Sequence, residues 1–342
     1  VDDIGSIEVL RNIDRLRNPR NPIEERRAAA DYLAQHPNNV ALPVMTRALE
    51  DPDYHIRKSA LEACNRFLSP LTVESLIKVL HERTFSEREE AIKILGRIKD
   101  HRAVKPIAEA LVYSDWMSIR SEAANALGNM GYKEAVPDLL EGLQDFDAPV
   151  RANVAEALGK LKDTSAVDAL IESMKRESGW NMRHMANALS KIGAPAMKPL
   201  ITVLADTNNT QEMREMVTET LANIIEKLET PREVQAQIKL TVDLLVAELP
   251  ERDKGIRSYV ARGALTRISA IVADQLIEAF ANSNPAIRDQ VAYILGDSKD
   301  MTLNQNLIRA LGFANSDVAS GAARVLYFRG ENPRDYGYTG SL

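Results

Sequence analysis

In SIRSEAANALGNM (118–130) the apolar residues Ile119, Ala123, Ala126, Leu127 and Met130 recur at the three- and four-residue spacing of one helix face. The next stretch, GYKEAVPDLLEGLQD, places Val136, Leu139, Leu140 and Leu143 at the same spacing and predicts a second amphipathic helix. Gly131 stands where the first helix should end. Pro137 falls in the first turn of the second, where a missing N–H costs least. One such hairpin cannot bury its own apolar stripe, so it has to stack on neighbours.

The neighbours are in the sequence. The phrase returns 31 residues on as VRANVAEALGKL (150–161). Aligned on the Leu of ALG, ten equivalents appear: Leu33, Cys64, Leu95, Leu127, Leu158, Leu189, Leu221, Ala264, Leu295 and Leu326. They are 31 or 32 residues apart, except for a step of 43 between Leu221 and Ala264. The expected fold is all-α: a single α-solenoid of about ten hairpins over residues 1–329, a right-handed superhelix on the order of 90 Å long. The long step falls at REVQAQIKLTVDLLVAEL (232–249), whose Val234, Ile238, Val242, Leu245 and Leu249 keep helical spacing, so longer helices rather than a loop are expected there. Glycines mostly read as helix caps. In hairpin 10, Ala319, Gly321 and Phe328 stand where exposed polar residues are usual. The tail, residues 330–342, leaves the repeat, and its Tyr336 and Tyr338 predict a segment ordered over hairpin 10 or docked on a neighbouring subunit.

Seven residues before the anchor an arginine recurs as Arg26, Arg57, Arg88, Arg120, Arg151, Arg214, Arg257 and Arg288. Hairpin 6 has Met182 there, with Arg183 one place late, and hairpin 10 has Ala319.

In AVPDLLEGLQDFDAPVRANVAEALG (135–159) the AV-P-L opening, the Asp before the turn and the VR--AA-ALG of the second helix resemble HEAT repeats, most of all the short phycobilisome-lyase-type variety. That class includes chromophore lyases, chaperone-like assembly factors and scaffolds. The resemblance implies that the second helices line a concave face. It also implies a ladder between neighbouring units, built from an Asp near the turn and the recurring Arg. Asp51 stands six residues before Arg57 and Asp145 six before Arg151, with Glu82 and Glu251 in that role before Arg88 and Arg257. Charge-assisted bonds of this kind would fix the stacking register; the competing reading is a row of anion-binding arginines. Met182 predicts a local irregularity.

Composition narrows the chemistry. The aromatic fraction is 5% and the net charge −6, which favours closely packed helices and makes nucleic acid an unlikely partner. The single cysteine, Cys64, cannot form an intrachain disulfide and occupies an apolar anchor. The five histidines stand apart from one another, with one His-Glu dyad at His81-Glu82. Neither a nucleophile elbow nor a P-loop is present, so no catalytic residue, metal or cofactor is expected. No apolar run reaches the length of a membrane span. The start at Val1 leaves the compartment open: cytoplasmic first, exported after removal of a leader second.

Two rows of decoration remain. Hairpins 2 to 6 each carry an aromatic near the turn: Tyr54, Phe85, Trp116, Phe146 and Trp180. Each ring either staples its own turn or forms an exposed edge that anchors a partner. Two residues after the anchor the same hairpins carry Arg66, Arg97, Asn129, Lys160 and Lys191, favoured by the helix dipole or open to a partner. Between the rows run Glu62, Lys93, Asn125, Glu156 and Asn187, with Asn153 and His184 beside them. The expected function is a non-enzymatic scaffold or assembly factor that presents hairpins 2 to 6 to another protein. The alternatives are a bilin lyase or chaperone subunit and a structural subunit of a larger complex.

Overall fold

The computed structural model describes residues 2–228, 231–249 and 256–341. Among them are twenty α-helices and no strand. Contacts divide the chain into two compact parts, residues 1–166 and 167–342. In the N-terminal part the hairpins are α1 (Asp2–Arg17) with α2 (Ile23–Gln35), α3 (Leu42–Ala48) with α4 (Tyr54–Phe67), α5 (Val73–Glu82) with α6 (Phe85–Ile98), α7 (Val104–Tyr113) with α8 (Met117–Met130), and α9 (Val136–Gly142) with α10 (Ala148–Leu161). In the C-terminal part they are α11 (Val167–Arg176) with α12 (Gly179–Ile192), α13 (Met197–Ala205) with α14 (Gln211–Glu226), α15 (Gln235–Ala247) with α16 (Ile256–Ile268), α17 (Ala273–Glu278) with α18 (Pro285–Asp297), and α19 (Leu303–Ala310) with α20 (Ser316–Phe328).

All ten anchors, Leu33 through Leu326, are buried. Glycines were expected mostly to cap helices, but Gly96 and Gly128, each following an anchor, have a packing role. Gly96 lies inside α6, and a Cβ there would sit 2.8 Å from the Ala126 Cβ on α8. Gly128 repeats the relation one hairpin on: its Cβ would come 2.7 Å from the Ala157 Cα on α10. At these two steps the glycine after one anchor therefore meets the alanine before the next, and α6, α8 and α10 approach as closely as their backbones allow. Helix ends need no glycine: Leu68, Lys99 and Lys162 take the left-handed cap that Gly131 takes after α8.

In the C-terminal part, hairpin 6 departs from the pattern. Met182 is buried where an Arg would stand, and Arg183 is exposed. α12 begins at Gly179 with φ +53, and the Gly179 N–H donates to Glu212 Oε1 at 2.7 Å. Across the long step, α14 has 16 residues and α15 has 13, against 14 for α12 and 9 for α13; residues 250–255 lie outside the described residues.

The last hairpin requires a correction. Ala319 is buried, and Gly321 lies under the buried Phe280 ring, where a Cβ would come 2.4 Å from Cγ. Gly321 leaves room for the Phe280 ring, which follows α17, rather than facing water; Phe328 is exposed. The tail lies on hairpin 10. Pro333 is buried in a short 3-10 turn, Asn304 Nδ2 donates to Glu331 Oε1 at 3.2 Å, and the Tyr336 hydroxyl donates to Glu331 Oε2 at 2.7 Å.

Candidate protein interface

The recurring arginines build an internal scaffold. One bond goes to the main-chain oxygen six residues upstream: Arg57 to Asp51 at 3.0 Å, Arg120 to Ser114 at 2.8 Å, Arg151 to Asp145 at 2.7 Å, and in the C-terminal part Arg288 to Asn282 at 2.7 Å. A second goes to a carboxylate of the following hairpin. Arg26 reaches Asp51, Arg57 Nε donates to Glu87 Oε1 at 2.6 Å, and Arg120 Nε donates to Asp145 Oδ2 at 2.6 Å while its Nη2 reaches Asp147 at 2.8 Å. Asp51 and Asp145 thus serve the preceding hairpin's Arg with the side chain and their own hairpin's Arg with the backbone. Arg214 pairs with Glu248. Arg88 keeps a buried Nε without a partner among the described residues. The side chains of Glu82 and Arg257, and all of Glu251, lie outside the described residues.

Burial sets the weight of these bonds. The side chains of Arg120 and Asp145 are 3% and 7% exposed, so losing one leaves the other as an uncompensated charge. Burial alone would push the Glu87 carboxyl up, but Arg57 and Thr84 outweigh it and hold it below the usual carboxylate range.

The aromatic edge is fixed from one side and open on the other. In the N-terminal part Phe85 and Trp116 lie 5.2 Å apart, the Phe146 ring lies 4.4 Å from the Arg120 guanidinium, and Tyr54 lies 5.8 Å from that of Arg57. All four remain exposed, Phe146 to 78%. Tyr113, at the end of α7, is 79% exposed and was missed by the repeat pattern because no other hairpin has an aromatic at that position. It lines a groove of about 470 Å³ with Phe146, above Arg120 and Asp145. In the C-terminal part Trp180 is exposed and meets His184 edge-on at 4.0 Å.

The polar rows separate into ties and open positions. Arg97 donates to Asn65 of the preceding hairpin, and Lys160 donates to Asn129 at 3.0 Å, so these cations link successive second helices. Arg66 pairs within its own helix with Glu62 at 2.7 Å. Asn125 and Asn153 are half-buried, whereas Asn187 and Lys191 of the C-terminal part are exposed. Between α4 and α6 runs a groove of about 340 Å³ lined by Tyr54, Lys58, Glu62, Glu89, Glu90 and Lys93. Lys93 bonds Glu89 at 2.6 Å, which with Glu122 and Glu90 raises its pKa. Burial pushes the nearby Glu122 carboxyl up; Lys93 opposes this, and Glu89 and Glu90 add to it. The groove therefore carries an acidic surplus.

Stacked two-helix repeats with an arginine ladder define an α-solenoid of HEAT-like hairpins. The sequence matches HEAT repeats over residues 10–89, 73–147 and 136–222, more than half of the chain, and the chain belongs to that family. Among solved structures it is similar to an engineered protein (20% identity, 95% of this chain and 99% of that one, TM-score 0.44). It is also similar to the CpcE–CpcF complex of phycocyanin lyase from Nostoc sp. PCC7120 (26% identity, 77% and 95%, TM-score 0.38). A third similar structure is Kap121p bound to Pho4p (13% identity, 95% and 41%, TM-score 0.52), a likeness of fold alone. No curated protein matches the chain. No described helix is long and apolar enough to cross a membrane.

Proposed function

We propose that this chain is a non-enzymatic scaffold or assembly factor that holds another protein along the turn edge and second-helix groove of hairpins 2 to 5. The observation that carries this reading is the exposed aromatic edge: Tyr54, Phe85, Trp116 and Phe146 in four consecutive hairpins, with Tyr113 and Met117 beside them. A ring already fixed by one neighbour loses little freedom when a partner covers its other face, which is the quality of an anchor residue. The arginine ladder supplies the rigid backing, since its guanidinium donors are largely spent inside the stack. Kap121p, similar in fold, is described in complexes with Pho4p, RanGTP and Nup53p, which supports protein binding as a use of this architecture. In the C-terminal part, Trp180 with His184, Asn187 and Lys191 is the corresponding surface of hairpin 6.

The test is capture of partners from the native source by the full chain, compared with a Tyr113→Ser, Trp116→Ser double variant. The expected result is a tenfold or greater loss of captured protein at an unchanged melting temperature. Equal capture by both proteins rejects the assignment of this edge.

A further inference from the structure

In the N-terminal part, the C-terminal ends of α1 and α3 flank a polar groove of about 480 Å³. Arg17, Arg26 and Arg47 supply its cations, against Glu50 and Asp51. Both carboxylates are already taken: Asp51 by Arg26, and Glu50 by Lys78 at 2.9 Å. Arg17 and Arg47 are exposed and make no hydrogen bond or ion pair among the described residues. Around the groove, exposed Arg15 and Arg20 offset exposed Asp14 and Glu25, and Arg27 is held by Glu24 and Asp53. Two guanidinium charges are therefore left over in the groove of a chain whose net charge is −6.

An arginine in the last turn of a helix ordinarily serves the free carbonyls there. These two do not hydrogen-bond them. The Asp14, Arg15 and Leu16 carbonyls of α1 accept from the Asn18 N–H at 3.3 Å, Asn21 Nδ2 at 3.0 Å and Arg26 Nε at 3.4 Å. Those of Thr46, Arg47 and Ala48 in α3 accept from the N–H groups of Leu49 at 3.3 Å, Glu50 at 3.1 Å and Asp51 at 3.2 Å. Both helix ends are closed without the side chains of Arg17 and Arg47, whose donor forks stay open to solvent.

We infer that this groove binds a phosphoryl group carried on a side chain of a protein partner. Charge selects an anion, because the only carboxylates lining the groove are already paired. The number of forks selects the kind of anion. A carboxylate has two oxygens and saturates one guanidinium; a phosphoryl group brings three oxygens and about 1.5 to 2 negative charges, enough for both. No aromatic side chain lines the groove, so it offers a nucleic acid no ring on which to stack a base. Leu16, Val44 and Ala48 give apolar cover to the peptide on either side of the phosphoryl group. The anion chemistry is independent of the aromatic edge; only the choice of a protein as carrier rests on the function proposed above.

Binding of a fluorescein-labelled Gly-Ala peptide with one phosphoserine to the full chain, read by anisotropy at low salt, tests the inference. The wild type is expected to bind it tenfold or more tightly than the same peptide with serine, and more tightly than the same peptide with glutamate. Arg17→Gln and Arg47→Gln are each expected to weaken it fivefold or more, and Arg47→Lys less, since the charge is kept and the fork lost. Lys105→Gln removes an exposed cation elsewhere in the N-terminal part, and the Tyr113→Ser, Trp116→Ser double variant alters the aromatic edge; both are expected to leave affinity unchanged. Far-ultraviolet spectra establish that each variant is folded, and if one of the two glutamine variants unfolds the other decides. The inference is overturned if the wild type does not prefer the phosphopeptide, or if Lys105→Gln weakens it as much as Arg47→Gln. It is also overturned if inorganic phosphate or a thymidine oligonucleotide displaces the labelled peptide as well as unlabelled phosphopeptide does, because the carrier is then not a protein. No preference for the phosphopeptide, with partner capture at the aromatic edge intact, rejects this groove and leaves the proposed function standing.

Discussion

At the scale of the residue, the two kinds of glycine make opposite predictions for the same substitution. Gly128→Ala improves intrinsic helix propensity but drives a methyl group against the Ala157 backbone, so a loss of roughly 1–3 kcal/mol is expected. Gly263→Ala meets open space and is expected to stabilise by about 0.5–1 kcal/mol. Chemical denaturation of both variants checks the pair together. Cys64 is buried at an anchor and its thiol is pushed up to about 12 by burial, so it is expected to resist thiol reagents until the chain unfolds. Glu122 is shifted in the opposite direction from Asp53, Glu87, Asp100, Asp163 and Asp300. Burial raises its folded pKa, so its ionisation costs folding stability as pH rises above the unfolded carboxylate pKa, and Glu122→Gln is expected to stabilise at pH 7 by about 0.5 kcal/mol. The gain should disappear below the unfolded carboxylate pKa, where wild-type Glu122 is already protonated.

At the scale of the element, the ladder separates two arginines that look alike in sequence. Arg120 is buried and binds Asp145 and Asp147 of the next hairpin, so Arg120→Ala is expected to cost about 3–5 kcal/mol. Arg151 is half-buried where Arg120 is buried, so its loss leaves less uncompensated charge away from water, and Arg151→Ala is expected to cost less, about 1–3 kcal/mol. Denaturant midpoints of the two variants give the order. Much of this was legible from the sequence, and the limits have physical reasons. Anchors such as Leu127 and Leu158 recur because a stacked helix tolerates one shape at that position. The recurring Arg was legible for the same reason, but its acceptor was not in every hairpin: Arg26 and Arg120 take the turn acids Asp51 and Asp145, whereas Arg57 takes Glu87, 30 residues on, which also accepts from Thr84. The packing role of Gly96 and Gly128 was not legible, because the contact, Ala126 or Ala157, lies one repeat away. Tyr113, Arg17 and Arg47 carried no signal, because exposed positions change residue type from one hairpin to the next.

At the scale of the whole molecule, the buried pattern sets the fold and the exposed pattern sets what each part can meet. Hairpins 2 to 5 present aromatics near their turns, with an acidic groove between α4 and α6, and hairpins 8 to 10 present aromatics beside arginines. Acid is expected to weaken the fold. Asp53, Glu87, Asp163 and Asp300 are held below their ordinary range, and Asp100 falls to about 2, chiefly through Arg102. A depressed folded pKa contributes stability above the unfolded value of about 4 and loses it as pH falls through the folded value. Thermal melts should therefore be nearly flat near neutral pH and fall below about pH 4. The most direct test of the central claim, that the repeat is architecture and its exposed aromatic edge is the binding surface, is site-directed photocrosslinking. A photoreactive phenylalanine analogue is placed at Tyr113, Trp116 or Phe146, and at the exposed Lys105 and Lys133 on the first-helix side, in the full chain within native extract. The expected result is one set of protein adducts shared by positions 113, 116 and 146 and absent from 105 and 133. Adducts at 105 and 133 with none at the aromatic edge would contradict it.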